Sequence, residues 1–166
     1  MVHLLVTYME QLEPPAGSGF PSPIARVSVE RERLGPRDYL SLYRSVGEPL
    51  QWDQRLRMPL TELEVFLRRP STDLYILRDR TRAIGLCEFD GAGKPDVELT
   101  NFGLVPEAQG NRLGPFLLDS ALRAVWSHEP RRVWLHTDTY DHPKAKATYE
   151  RAGFKVYAEK TEEFAD

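Results

Sequence analysis

The stretch Leu104–Leu118, LVPEAQGNRLGPFLL, holds the residues whose types and spacing first suggest chemistry. A strand-like segment, DVELTNFGLV, runs into a short loop containing Gly110 and Gly114, and apolar residues at helical spacing follow. The first N–H groups of a helix lack intrahelical acceptors and sit at the positive end of the helix dipole, so such a junction receives an anion. Gly110 puts no Cβ in the way of a ligand, and phosphate is the natural guest. Taken alone, a loop of this kind is more often an ordinary turn.

Other reactive side chains are sparse. His136 and His142 flank TDTYD, but their spacing is not that of a closed zinc site and no second ligand cluster accompanies them, so no metal is expected. Cys87, the single cysteine, lies within AIGLCEFD and reads as a small core residue. In EPLQWDQRLR, Trp52 stands beside Asp53 and Arg55, a combination suited to an amine with an apolar body. Trp52 as a plug in a helix–sheet seam is the plainer alternative.

These residues need elements to hold them. HLLVTYMEQL predicts a first strand, which either edges the sheet or pairs across a homodimer. A Pro/Gly/Ser-rich loop from Glu13 to Pro23 follows and reads as a flexible arm, too short to separate two domains. ARVSVER alternates as a strand. GPRDYLSLYRSVG is helical, with Gly47 as its stop, and MPLTELEVFLRRP is a second helix with Thr61 as its cap and Glu64 three residues on. DLYILRD and RAIGLCEFDGAGKPDVELTNFGLV give three strands with a hairpin turn at GAGK. A helix over 112–127, the strand RRVWLHTDT, a helix in DHPKAKATYERAG capped by Asp141 or His142, and the strand FKVYAEKTEEF complete the chain. This order predicts one α/β domain over 1–166, a mixed sheet with helices on both faces.

The 166 residues are 41% hydrophobic and 28% charged, as in ordinary globular proteins, and the net charge is -3. That balance argues against nucleic-acid or acidic-membrane binding, which calls for a basic surplus. A lone cysteine forms no internal disulfide. The first residues lack the basic flank of a signal peptide, and no run approaches the roughly 20 apolar residues of a membrane helix. A cytoplasmic protein is expected.

Two motifs together resemble the GNAT superfamily of acetyl-CoA-dependent N-acetyltransferases. That family's signature, Arg/Gln-x-x-Gly-x-Gly/Ala, is met in QGNRLG by Gln109 and Gly114, with Arg112 where the family has glycine. Its second signature, Asn-x-x-Ala-x-x-x-Tyr-x-x-x-Gly-Phe, is met in HPKAKATYERAGF by Ala145, Tyr149, Gly153 and Phe154, with His142 in place of asparagine. The resemblance implies a splayed sheet, with a bulge in ELTNFG helping to open it, and acetyl-CoA as co-substrate without a metal. The pantetheine arm would lie along Phe102, Gly103, Leu104 and Val105. The pyrophosphate would sit on Gln109, Gly110, Asn111, Arg112, Leu113, Gly114 and Pro115, with His142, Lys144 and Tyr149 also at the cofactor. Arg112 would either clamp the phosphates with its guanidinium or crowd them with its Cβ.

The implied reaction moves an acetyl group from a thioester to a small-molecule or peptide amine. Making an alkylammonium neutral at pH 7 costs about 4.6 kcal/mol from a reference pKa of about 10.4, so a general base is expected. Glu98 matches the base of the histone acetyltransferase branch and is expected to be half-buried with a raised pKa, or to work through water. Tyr149 matches the residue that protonates the departing thiolate. A backbone N–H in 102–104 would polarise the carbonyl. Trp52, Asp53 and Arg55 would form the acceptor pocket, with His136 either lining it or lying in the core. The rival is a catalytically silent coenzyme A-binding or regulatory module, which Arg112 and His142 favour and the pair Glu98 and Tyr149 disfavours.

Overall fold

A computed structural model describes residues 2–164, so Met1, Ala165 and Asp166 of the expected 1–166 domain lie outside the described residues. The strands are β1 (Val2–Gln11), β2 (Val27–Arg31), β3 (Thr72–Asp79), β4 (Arg82–Asp90), β5 (Asp96–Leu104), β6 (Arg132–Asp138) and β7 (Lys155–Phe164). The helices are α1 (Pro36–Gly47), α2 (Gln54–Arg57), α3 (Leu60–Arg68), α4 (Leu113–Trp126) and α5 (Ala145–Arg151). One mixed sheet runs in the order β2-β3-β4-β5-β6-β1-β7. Among the described residues only β5 and β6 pair in parallel, and α4 is the crossover that a parallel pair requires.

Burial explains the elements. On α1 the buried Tyr39, Leu42, Tyr43 and Val46 repeat at helical spacing. Ile84–Phe89 of β4 is buried without a break, as in a strand covered on both faces. Gly103 faces Val46 of α1, whereas Phe102 and Leu104 face Gly114 of α4. Neighbouring strand residues point to opposite faces, so α1 and α4 cover opposite sides of the sheet.

The parallel ladder is short. It joins Asp96 to Arg132, Val97 to Val133 and Glu98 to Trp134, and beyond these the two strands part. On its other side β5 slips register against β4, with Glu88 opposite Asn101 and Phe89 opposite Leu99. Thr100 is therefore a bulged residue, inside the expected ELTNFG segment, and the bulge bends β5 away from β6. The gap-facing backbone groups that follow have no β6 partner.

Three expectations are corrected. β1 neither edges the sheet nor has a free side to offer a second copy; it lies between β6 and β7, antiparallel to both. Val6 and Met9 are fully buried there, and Gln11 accepts from Trp126 Nε1 and donates to the Ala152 carbonyl, each at 2.7 Å. Alternation in a strand reveals its faces but not its neighbours. The loop after β1 is a strap rather than a free arm, because Arg123 of α4 donates to the carbonyls of Ala16, Gly17 and Ser18, and Asp119 accepts from the Phe20 N–H. Finally, Thr61 does not cap α3. The helix begins one residue earlier, behind Pro59 in an extended conformation that sets the entry of the chain.

Candidate functional site

A cavity of ≈ 940 Å³ opens through the gap between β5 and β6. Its walls come from both faces of the sheet. Gly110, Arg112, Leu113, Gly114, Pro115 and Tyr149 line the α4 side, and Trp52 and Asp53 line the α1 side. Phe102, Gly103 and Leu104 form the β5 wall, with Gln109, His136, His142 and Lys144 also on the lining.

At one end the site is backbone. Gly110 (φ +85) and Arg112 (φ +62) both take left-handed conformations, curving the chain into a concave turn just before α4. Arg112 is the N-cap residue of α4, and no side chain caps the first N–H groups. The position that the family signature fills with glycine thus keeps a glycine-like backbone, at a cost of about 1–2 kcal/mol for an L-residue there. Asn111 is exposed and off the cavity lining. Val105 also leaves the expected set: it is 2% exposed and its N–H donates to the Ile84 carbonyl at 2.9 Å, so it belongs to the core.

Tyr149 sits beyond the gap on α5. Its ring lies between Phe102 and Phe154, with centroids 5.8 and 6.0 Å away. The side chain is buried, and its hydroxyl has no hydrogen-bond partner among the described residues. Burial pushes its pKa well above the ordinary value, so the group keeps its proton. Asp141 and His142 do not cap α5, which starts behind Lys144 with no side-chain cap. His142 Nδ1 accepts from the Lys144 N–H at 3.1 Å, but His142 lies two residues ahead of the N-cap position. Asp141 closes the turn after β6, accepting from the Thr137 hydroxyl and the Asp138 N–H, and burial raises its carboxyl above the usual range.

The opposite end is made of side chains. His136 lines the cavity, and its Nε2 lies 3.8 Å from Glu98 Oε2. Glu98 itself is set back from the lining, half-buried, and burial raises its pKa against the lowering pull of His136. Tyr8 stands beside His136 with ring centroids 5.8 Å apart and donates to Glu162; that hydrogen bond and burial push Tyr8 up to about 12.

Arg55 is not on this wall. Its side chain is buried, and Nη2 donates to the buried Glu88 at 2.8 Å. The short helix α2 turns it inward, where the guanidinium lies 4.2 Å from the Phe66 ring centre. Gln54 and Arg57 line the cavity in its place. Cys87 is fully buried, as read. Sequence reasoning missed Asp138, Tyr8, Glu162 and Glu88, and named Asp141 only as a helix cap. Asp138 could have been found, two residues from His136 and hence on the same strand face. Tyr8 and Glu162 meet only through the pairing of β1 with β7.

The model of the acetyltransferase (GNAT) family matches residues 38–154. Among solved structures, the chain is similar to a GCN5-related N-acetyltransferase from Sphaerobacter thermophilus, with 20% identity and a TM-score of 0.65. The match covers 95% of this chain and 50% of that one. A tandem GNAT protein from the clavulanic acid biosynthesis pathway gives 20% identity and a TM-score of 0.70, covering 95% and 52%. An aminoglycoside acetyltransferase from an uncultured soil metagenomic sample, solved with sisomicin, gives 11% and 0.62, covering 76% and 87%. The chain spans about half the length of the first two. No curated protein matches it in sequence.

Proposed function

Since the chain belongs to the acetyltransferase (GNAT) family, we propose that it transfers an acetyl group directly from acetyl-CoA to an amine acceptor. The observation that carries this reading is a single cavity with an uncapped helix N-terminus at one end and, on its wall, Tyr149, a buried side chain whose hydroxyl has no hydrogen-bond partner among the described residues.

The residues present fit coenzyme A. The turn at Gly110 and Arg112 and the first N–H groups of α4 would hold the diphosphate, with Lys144 and His142 nearby. The free edge of β5 at Phe102–Leu104 would hold the amide-bearing arm. When bound, acetyl-CoA supplies an acyl group activated as a thioester.

The chain's own groups then have three tasks. A backbone N–H of the β5 edge donates to the carbonyl oxygen as charge develops there. Tyr149 holds a proton at its hydroxyl, kept there by burial, and releases it to the leaving sulfur as negative charge develops on it. Glu98 and His136 take the proton of the incoming ammonium, with His136 at the cavity wall and Glu98 behind it, directly or through a water. Trp52 and Asp53 face the acceptor. Its raised pKa brings Glu98 closer to the work of a base than an exposed carboxylate.

The test has two stages. Calorimetry with coenzyme A measures binding, and thiol release with acetyl-CoA and a panel of amines, aminoglycosides included, measures transfer. Binding followed by release on at least one amine is expected. Binding without release on any amine would point to the silent module, and no binding at all would remove the reading.

A further inference from the structure

A buried carboxylate that touches neither end of the cavity ties the acceptor side together. Glu88 lies on β4 opposite Asn101 and is 0% exposed. Donors reach it from three elements. The Tyr39 hydroxyl comes from α1, Arg55 Nη2 from α2 at 2.8 Å, and the Thr100 hydroxyl and Asn101 Nδ2 (2.8 Å) from the β5 bulge.

Two of the partners, and the neighbours of a third, lie on the wall. Thr100 and Asn101 line the cavity where β5 leaves β6, and Gln54 and Arg57 line it on either side of Arg55. A carboxylate taken out of water is tolerated only when paired and hydrogen-bonded, so each donor is held where it is by the cost of leaving. A bulge is the soft point of a strand because one residue has no ladder partner. Thr100 is secured there by its hydroxyl, which also reaches the Glu88 carbonyl at 3.2 Å.

We propose that Glu88 is a positioning residue for the transfer reaction, fixing the Thr100 bulge against the α2 segment and so setting the acceptor side of the β5–β6 gap. The inference rests on the acetyl-transfer reading for its kinetic consequence but not for its structural one. Removing Glu88 alone strands the Arg55 cation, so the variant to make is the double Glu88→Gln with Arg55→Met, which removes both charges and keeps an apolar stem over Phe66. Thr100→Val is the second variant, which removes the hydroxyl tie at the bulged residue itself and leaves the Asn101 contact and the ion pair in place.

Amide hydrogen exchange is read on segments 52–57, 99–104 and 113–126, and kcat, KM and coenzyme A affinity are read separately. In the double variant, exchange in 52–57 and 99–104 should quicken at least tenfold, with 113–126 unchanged. Its kcat should fall at least tenfold, with coenzyme A affinity within threefold. For Thr100→Val, faster exchange confined to 99–104 and a smaller fall in kcat are expected. A folded double variant with native exchange in 99–104 overturns the proposal, and so does a lowered melting temperature with kcat unchanged. If the double variant fails to fold, Thr100→Val decides on the same readouts, and native values for it overturn the proposal. If the wild-type protein acetylates no amine, the transfer reading fails while the exchange arm still decides whether Glu88 sets the gap.

Discussion

At the α4 end of the cavity the wall is backbone from one short stretch, Gln109 to Pro115, curved by two left-handed residues and ended by an uncapped helix. At the other end, the one proposed for the acceptor, the wall is side chains from β1, the α1–α3 connection, β6 and β7, held by partners such as Glu88 and Glu162 that lie far away in the chain. Backbone donors survive substitution, and Arg112 keeps a left-handed backbone at the position where the family signature has glycine. Side-chain walls have no such tolerance, because each depends on a pairing that one mutation breaks.

The largest test of that contrast is Arg55→Ala. It leaves the Glu88 carboxylate buried without its cation, and the expected loss is about 3–5 kcal/mol in urea denaturation. A loss under about 1 kcal/mol would show that the acceptor end is not held by its ion pair. Tyr149→Phe comes next. Turnover should fall at least tenfold, about 1.4 kcal/mol in the barrier, with coenzyme A affinity within about twofold. Equal turnover would return Tyr149 to the core.

Arg112→Gly addresses the other end. Relief of the left-handed conformation, partly offset by the freer unfolded chain, should raise stability by about 0.5–1 kcal/mol, with the coenzyme A Kd moving less than threefold. A tenfold weaker Kd would make the guanidinium, not the backbone, the main holder and would blur the contrast.

The smallest effect concerns pH. Burial raises the pKa of Glu98 above 4.5, so its protonated form favours the fold below that value and this contribution is lost as pH rises through the folded pKa. Glu98→Gln should therefore be slightly more stable than wild type at pH 7, with a flatter stability profile above pH 4.5. The same variant should lose the acidic limb of kcat/KM. A limb that persists in Glu98→Gln would take Glu98 out of the proton path.

Much of the architecture can be read along the chain. The strands and main helices fall where hydrophobic periodicity places them, the bulge lies in ELTNFG, and Cys87 is core. The strand–turn–helix junction at 104–113 is equally legible because its parts are contiguous, and the N–H groups of a helix start are the same whatever the side chains. Three readings failed together: β1 at an edge, the Glu13–Pro23 loop as a free arm, and Arg55 on the acceptor wall. Each depended on a neighbour distant in sequence. Periodicity shows which face of an element is buried and is silent about what covers it.

Local order therefore determined the elements and the left-handed turn that leads into the uncapped start of α4. Tertiary structure alone decided that β1 enters between β6 and β7, that Tyr8 meets Glu162, and that Arg55 turns inward to Glu88. The reason is that a backbone site needs only short-range geometry, whereas a buried charge or an inserted strand is placed by the total burial and pairing that the whole sheet makes available.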